Sequence, residues 1–259
     1  HLPNQKRLYE KYFPNAKKSF DEVVFNPSLV FLNNHFSLTG ARPYLPNMIE
    51  IGGIHVSQKK ELPSEFKKFI SFSEGGFIVF SMGSIVQANQ FPEKTREAFV
   101  KAFGKLKQKV IWKYENETLP NKPDNVMISS WIPQRDLLAH PNCKLFITHG
   151  GFLGTTEASA EGVPMLGFAM FGGKKINFVI ENVHNYVFSD QFMNLEFASS
   201  QGRAISLEID DVNEEMFSDA LNKILNDPKY EENAKFVAKR YKDRPMTPQV
   251  AVNYWTQFI

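Results

Sequence analysis

From Leu62 onward, short apolar runs alternate with amphipathic segments, and this alternation restricts the fold more than any other feature of the sequence. The run Phe77-Ile78-Val79-Phe80 contains no polar residue, which is typical of a strand buried on both faces of a sheet. Strands are predicted at 77–80, 110–113, 126–129, 145–148 and 164–168, and helices at 92–107, around Leu137, at 155–161 and at 176–183. Because strands that alternate with helices pair in parallel, the sequence predicts an α/β fold with a Rossmann-like, doubly wound parallel sheet.

The two ends of the chain follow other patterns. Before Leu62, a helix is predicted at 6–13 and strands at 28–33 and 48–51, and the last part of the chain is predicted to be helical at 213–225, 229–239 and 248–258. Ligands of doubly wound sheets bind at the carboxyl ends of the strands. We therefore expect the functional residues in the loops that follow Phe80, Ser129 and Thr148.

Composition excludes several classes of function. The chain has 259 residues and a formal net charge of +2 without a Lys/Arg block, so a nucleic-acid partner is not expected and a small anion fits better. Cys143 is the single cysteine, which rules out an internal disulfide, and its place beside a predicted strand favours a buried, inert thiol. The six histidines show no metal-ligand spacing, so no metal is predicted.

A glycine-rich turn follows the predicted strand 145–148 and reads His149-Gly150-Gly151-Phe152-Leu153-Gly154. Glycines allow close approach of a ligand to the backbone, and the helix expected to begin near Thr155 would direct free N–H groups at it. This arrangement predicts a site for an anion such as a diphosphate. A tight turn that needs glycine only for steric reasons is the alternative, and the spacing differs from the dinucleotide pattern G-x-G-x-x-G.

Other loops add candidate nucleotide contacts. Trp131, just after the strand 126–129, offers a platform for a base, although a core tryptophan is the alternative. Gln134 has paired donor and acceptor groups for a base or ribose edge. Glu157 suits two ribose hydroxyls unless it is only a solvated helix charge, and Ser84 suits a phosphate unless it is only a turn serine.

Taken together, the loops resemble the donor-site signature of family 1 UDP-glycosyltransferases, in particular those of animals and especially insects. The resemblance is carried by spaced segments in the same order, namely Phe80-Ser81-Met82-Gly83-Ser84, Trp131-Ile132-Pro133-Gln134-Arg135-Asp136-Leu137-Leu138, Phe146-Ile147-Thr148-His149-Gly150-Gly151, Glu157-Ala158 and Gly162-Val163-Pro164-Met165. Asn33-Asn34-His35-Phe36-Ser37 and Lys242-Asp243-Arg244-Pro245-Met246 resemble further landmarks of the animal members.

The resemblance implies the C-terminal half of a two-domain GT-B fold. It makes residues 61–259 the UDP-sugar donor-binding domain and residues 1–60 the closing segment and linker of the N-terminal acceptor domain. It assigns uracil stacking to Trp131, the nucleoside to Gln134 and the ribose to Glu157. The diphosphate would contact His149, Ser84 and the glycine-loop residues Gly150, Gly151 and Gly154. The retained Asn177 is a further residue of the implied nucleotide-sugar site.

The implied reaction is inverting transfer of a hexose, expected to be glucose, from a UDP-sugar co-substrate to a small lipophilic acceptor, with no metal or other cofactor. The catalytic histidine and its aspartate belong to the N-terminal domain, so this chain alone is expected to be inactive. A membrane helix would follow Ile259 and place the enzyme on the lumenal side of the endoplasmic reticulum. Asn116-Glu117-Thr118 is then a glycosylation sequon. The resemblance does not define the oligomeric state, and a homo-oligomer is one alternative.

One departure from the family concerns the sugar. Where the family has an Asp-Gln pair just before the asparagine corresponding to Asn177, this chain has Gly173-Lys174. Loss of a carboxylate that binds sugar hydroxyls removes charge-assisted hydrogen bonds. Two hypotheses follow, an active glycosyltransferase or a degenerate relative that binds UDP or a UDP-sugar without transferring it.

Overall fold

Six parallel strands form the central sheet of the computed structural model, which describes residues 2–56, 58–71, 73–169 and 190–259. The strands of the described residues are β1 (Val30–Leu32), β2 (Met48–Glu50), β3 (Phe77–Ser81), β4 (Lys109–Lys113), β5 (Val126–Ser129), β6 (Cys143–Thr148), β7 (Met165–Phe168) and β8 (Ala204–Leu207). The helices are α1 (Leu2–Tyr12), α2 (Phe20–Phe25), α3 (Phe36–Thr39), α4 (Ser64–Ile70), α5 (Glu93–Gly104), α6 (Gln134–Leu138), α7 (Phe152–Glu161), α8 (Asp190–Ser200), α9 (Glu214–Asn226), α10 (Pro228–Lys242) and α11 (Pro248–Phe258).

The strand order of the large sheet is β5-β4-β3-β6-β7-β8, and all neighbouring strands are parallel. Strands β4 and β5 are therefore added in sequence on one side of β3. The chain then crosses back to place β6 on the other side of β3, and β7 and β8 follow in that direction. The order reverses between β3 and β6, so the loops after these two strands leave in opposite directions. This point is where a doubly wound sheet opens a crevice for a ligand.

Helices cover both faces of the sheet, which explains why its central strands are continuously apolar. All five residues of β3 are buried. Phe80 faces α5 and α9, where it packs in one cluster with Phe99 and Phe217. Val79 faces the other side, where Phe66 of α4 and Leu137 of α6 belong to a second cluster. The predicted α/β, doubly wound parallel sheet is confirmed.

The helices at the end of the chain begin at residues whose side chains cap them. The Asn213 side chain accepts from the Met216 N–H at 3.0 Å before α9. The Asp227 carboxylate accepts from the Lys229 N–H at 3.1 Å before α10. Thr247 caps α11, and α10 and α11 each carry proline in the first turn. Such caps are visible in a sequence, so all three helices were placed correctly.

Several elements were not predicted. β8 is a short strand at the edge of the sheet with one exposed and two half-buried residues, so it lacks the apolar run that identified β3. α8 buries Gln191 and Asn194 as well as Leu195 and Ala198. Because half of its buried face is polar, its apolar residues do not show the spacing that identifies an amphipathic helix. The short helices α2, α3 and α4 were missed too. The helix predicted at 176–183 lies outside the described residues.

The first part of the chain forms a unit beside the large sheet. β1 and β2 pair in parallel as a separate two-stranded sheet, which confirms both predicted strands, although β1 is shorter than 28–33. α1 covers the predicted helix 6–13 and has no buried residue. α3 packs against α8 and α10, which joins this part of the chain to the six-stranded sheet and its helices.

Candidate functional site

A cleft of about 680 Å³ lies at the carboxyl ends of the central strands, at the point where the strand order reverses. The loops after β3, β5 and β6 form it, as the sequence predicts. Seven of the predicted site residues line it: Ser84, Trp131, Gln134, His149, Gly151, Gly154 and Glu157. Gly150 lies behind the cleft lining, and Asn177, Gly173 and Lys174 lie outside the described residues.

Trp131 presents its ring to the cleft instead of joining the core. Its side chain is 74% exposed, whereas Trp112 is fully buried and stacks on Phe80 with ring centroids 4.7 Å apart. The Ser129 hydroxyl donates to the Trp131 carbonyl at 2.6 Å, which fixes the backbone that carries the ring. The alternative of a core tryptophan is therefore wrong. An exposed indole held at a cleft is a surface on which a planar ring can stack.

Gln134 and Glu157 meet across the cleft floor. Gln134 begins α6 and Glu157 lies in α7, and the Gln134 Nε2 atom donates to the Glu157 Oε2 atom at 2.7 Å. The bond orients both side chains before any ligand arrives. Because a carboxylate accepts several hydrogen bonds, Glu157 keeps capacity for hydroxyl donors. Glu157 is half-buried and paired, so its description as a freely solvated charge is wrong.

The glycine loop leads directly into α7, which begins at Phe152 and not near Thr155 as predicted. Gly151 is the residue before the helix, and the first free N–H groups belong to Phe152, Leu153 and Gly154. All three residues line the cleft. The positive end of the α7 dipole therefore points at the cleft one turn earlier than predicted, and this end favours an anion.

His149 fills the space between the loops after β3 and β6. A Cβ on Gly151 would lie 2.6 Å from the His149 Nε2 atom, and one on Gly83 would lie 2.7 Å from its Cε1 atom. Both positions need glycine because the imidazole occupies that space. Ser84, next to Gly83, is exposed at the cleft.

The electrostatics of His149 are those of a buried imidazole. Burial lowers its pKa to about 4, although the negative charge of Asp190 acts in the opposite direction. The ring is therefore neutral near pH 7. Its Nδ1 atom is buried and finds no hydrogen-bond partner among the described residues. Buried polar atoms are normally paired, so an unpaired one beside a cleft is typical of a site that a ligand completes.

Gly150 has a structural role. It adopts a φ of +81°, and a Cβ there would lie 2.6 Å from the Leu195 side chain, so only glycine fits against α8. The Gly150 carbonyl accepts from the Asn194 Nδ2 atom at 2.9 Å, and the same nitrogen lies 3.2 Å from the Asp190 Oδ2 atom. The first turn of α8 thus brings a carboxylate to the back of the glycine loop.

Sequence reasoning missed Asp190 and Asn194, although the sequence contains a signal for them. Phe188-Ser189-Asp190-Gln191 followed by Asn194 has the same layout as Phe171-Gly172-Gly173-Lys174 followed by Asn177. Only the later copy contains the aspartate and glutamine expected from the resemblance.

Three further predictions concern residues away from the cleft floor. Cys143 is buried at the start of β6, as predicted, and burial raises the pKa of its thiol to about 12. Asn116 is exposed, and its Oδ1 atom accepts from the Asn89 Nδ2 atom at 2.7 Å. Across the described residues, no three side chains of His, Cys, Asp or Glu form a group suited to a metal ion. Over the same residues, no helix has the length and apolar character needed to cross a bilayer.

The strand order and the cleft define an α/β unit of the type found in GT-B glycosyltransferases, and solved structures agree. The chain superimposes on the spinosyn forosaminyltransferase SpnP with a TM-score of 0.70 and 14% identity, covering 98% of this chain and 61% of that one. It superimposes on the glycosyltransferase VinC, solved in complex with DTDP, with a TM-score of 0.66 and 18% identity, covering 98% of this chain and 57% of that one.

Sequence comparison defines the family. The model of the family described as "UDP-glucoronosyl and UDP-glucosyl transferase" matches residues 5–185 and 180–259, and the chain belongs to this family. It is 40% identical over 258 residues to UDP-glycosyltransferase UGT5 of Dactylopius coccus, covering 100% of this chain. It is 34% identical over 263 residues to human UDP-glucuronosyltransferase 1A9, covering 97%. The chain spans about half the length of these relatives, 46% of each.

Proposed function

We propose that this chain is the donor-binding half of a UDP-glycosyltransferase that moves a hexose from a UDP-sugar to a small lipophilic acceptor. The observation that carries the proposal is the exposed Trp131 ring, which faces the same cleft as the paired Gln134 and Glu157. Uracil stacks on Trp131, Gln134 contacts the nucleoside, and Glu157 accepts from the ribose hydroxyls. Membership of the family supports this assignment of roles.

The diphosphate lies at the glycine loop in this proposal. The free N–H groups at the start of α7, the exposed Ser84 hydroxyl and the His149 ring form a set of donors on one side of the cleft. Since the charge that develops on departing UDP is held by these groups, we assign no metal or further cofactor to the reaction. The reaction breaks the bond between the sugar and the diphosphate and forms one to the acceptor oxygen on the opposite face.

The base that takes the acceptor proton comes from the acceptor domain. His149 lies at the diphosphate, on the leaving-group side of the sugar, and an inverting attack comes from the other side. Residues 1–60 supply the closing segment of that acceptor domain, which the separate β1–β2 sheet supports. Residues 61–259 are the donor domain, and alone they transfer no sugar.

We assign the sugar hydroxyls to Asp190 and not to the Gly173-Lys174 pair. Asp190 begins α8, bonds to Asn194 and acts electrostatically on His149 at the phosphate end of the cleft. The family model matches in two pieces that overlap at 180–185, so this stretch departs from a continuous family pattern, and Asp190 belongs to the second piece. A carboxylate at Asp190 supports the hypothesis of an active glycosyltransferase over that of a non-catalytic relative.

The cellular setting follows from the same proposal. The full-length enzyme lies on the lumenal side of the endoplasmic reticulum and is held by a membrane helix beyond Ile259. Asn116 is then a glycosylation site, which its exposed position supports. The expected partners are the UDP-sugar and the acceptor, and no nucleic acid takes part.

Calorimetric titration of the 259-residue chain tests the proposal. We expect UDP, UDP-glucose and UDP-glucuronate to bind with a stoichiometry of one, and ADP to bind more weakly because the proposal assigns the Gln134 amide to the uridine nucleoside. The sugar with the higher affinity names the preferred donor. A folded chain that binds none of the uridine nucleotides would overturn the proposal.

A further inference from the structure

The backbone of a single residue, Gly52, is hydrogen-bonded to both parts of the molecule. Its N–H donates to the Asn34 carbonyl at 2.8 Å, on the side of β1 and β2. Its carbonyl accepts from the Arg244 Nη1 atom at 2.9 Å and from the Tyr241 hydroxyl at 3.2 Å, on the side of α10. Gly52 is therefore one of the points, besides the packing of α3, at which residues 2–51 are attached to the donor unit.

The junction has no room for side chains. A Cβ on Gly52 would overlap the Asn34 carbonyl group. Gly53 adopts a φ of +89°, and a Cβ there would overlap the Tyr241 hydroxyl. The two glycines thus allow α10 to approach the backbone closely, and the chain is held at this point instead of swinging freely.

The side chains that hold Gly52 are themselves fixed. The Arg244 guanidinium lies over the Tyr241 ring at 4.2 Å from its centroid, and its Nε atom donates to the Tyr241 carbonyl at 2.8 Å. Tyr241 is buried and packs edge-on against His35, with ring centroids 5.2 Å apart. Tyr241 and Arg244 are therefore held in place by contacts with each other and by the packing of His35, from the segment that precedes Gly52, against the Tyr241 ring.

The residues after Gly53 continue these contacts toward the cleft. The Ile54 carbonyl accepts from the Gln249 Nε2 atom at 2.8 Å. The His55 Nε2 atom lies 3.1 Å from the carbonyl of Leu153, which belongs to the first turn of α7 and lines the cleft. Hydrogen bonds thus run from Gly52 to the helix that carries the anion-binding N–H groups.

We propose that Tyr241 and Arg244 are positioning residues for sugar transfer, which fix the acceptor side of the enzyme over the donor cleft through the Gly52 carbonyl. The inference rests on the proposed function. Transfer requires the acceptor oxygen to approach the sugar carbon closely, and a misplacement of about 1 Å lowers rates about 100-fold. In the proposal UDP contacts only the donor unit, so its binding should depend on this junction far less than sugar transfer does.

The test uses the full-length protein that carries this chain, with UDP affinity and steady-state transfer from UDP-glucose measured side by side. Arg244→Gln is expected to lower kcat at least 10-fold and to leave the Kd for UDP within twofold. Tyr241→Phe, which keeps the ring and loses one of the two donors, is expected to have a smaller effect of the same kind. Arg244→Lys retains a charge and one donor and should restore part of kcat.

Lys239→Gln is the matched control, because Lys239 is an exposed basic residue of α10 and should leave both quantities unchanged. Hydrogen exchange at residues 52–56 should become faster in Arg244→Gln and not in Lys239→Gln. Equal loss of UDP affinity and kcat, or no loss of kcat, would overturn the positioning role. Failure of the parent protein itself to bind UDP would instead overturn the proposed function.

Discussion

The two ends of the donor cleft are built in different ways. At the nucleotide end, Trp131, Gln134 and Glu157 lie within a few residues of strand ends or of the helices that follow them. At the other end, the phosphate loop is backed by α8, whose Asp190 and Asn194 come from a part of the chain remote from the loop. Local motifs thus build the end that we assign to the nucleotide, whereas tertiary packing builds the end that we assign to the sugar.

The largest expected effect concerns the end that packing creates. Asp190→Asn should lower kcat/KM for transfer from UDP-glucose by about 100-fold or more, because two charge-assisted hydrogen bonds contribute about 1.5–3 kcal/mol each. Initial rates of the full-length protein with radiolabelled UDP-glucose and a panel of phenols and steroids measure it. Glu196→Gln, an exposed residue of the same helix, is the control. If the Asp190→Asn enzyme has the same rates as the parent, the sugar hydroxyls must be assigned to the segment around Gly173 and not to Asp190.

The next largest effect is expected at Glu157, which the proposal assigns to the ribose hydroxyls. Glu157→Gln should weaken UDP binding by about 1.5–3 kcal/mol, because a neutral amide replaces the carboxylate that accepts from the ribose. For 2′-deoxy-UDP, which lacks one of the hydroxyls, the same substitution should cost less. Calorimetric titration of both ligands gives the two differences. Equal losses for the two ligands would show that Glu157 acts on Gln134 and not on the ribose.

A third prediction concerns the pH dependence of stability that results from the neutral, buried His149. Burial lowers its pKa to about 4, below the ordinary value of 6.5, so the unfolded chain takes up a proton at higher pH than the folded chain. The contribution of His149 to the free energy of unfolding is therefore complete above pH 6.5. As the pH falls from 6.5 to 4, the free energy of unfolding decreases by about 3 kcal/mol at most. Urea unfolding at several pH values should show this loss.

His149→Gln should flatten the pH dependence in this window without removing it. His35, at the junction with α10, also has its pKa lowered to about 4 by burial and by the neighbouring Arg244 and Arg240, and it contributes with the same sign. Saturating UDP-glucose should reduce the contribution of His149 to the pH dependence and not that of His35, because the proposal places only His149 at the diphosphate. Identical curves for the parent and His149→Gln would contradict the assignment.

The smallest effect compares two glycines of the loop. A Cβ on Gly154 would meet the Gln134 Nε2 atom at 3.4 Å, an ordinary contact, so Gly154→Ala should weaken UDP binding only a few-fold. It should change stability by about 1 kcal/mol or less, since alanine favours a helix. Gly151→Ala presses on the His149 ring and should lower both stability and affinity further. Thermal unfolding and titration of the two variants check the order, which a reversed ranking would contradict.

The sequence was sufficient for five of the six strands of the central sheet and for the loops that form the cleft. Strands such as β3 are continuously apolar, and the residues that follow Ser129 and Thr148 meet because the carboxyl ends of parallel strands share one edge of the sheet. The start of α7 was placed three residues late, because glycines weaken the helical signal at Gly151 and Gly154.

The sugar end could not be derived in the same way. α8 packs on the glycine loop through Asn194 and Leu195, and a half-polar buried face gives no apolar period to recognise. The junction at Gly52 was also hidden, because its partners Tyr241 and Arg244 lie far along the chain. Contacts of this kind depend on the complete fold and have no local pattern.

One set of titrations tests the division of the cleft most directly, namely UDP and UDP-glucose against the parent chain, Trp131→Ala and Asp190→Asn. Trp131→Ala should weaken both ligands equally, by about 1–3 kcal/mol, because both carry the uracil that stacks on the indole. Asp190→Asn should weaken UDP-glucose and leave UDP unchanged. Loss of UDP affinity in Asp190→Asn, or unchanged UDP affinity in a folded Trp131→Ala, would contradict the assignment of the two ends.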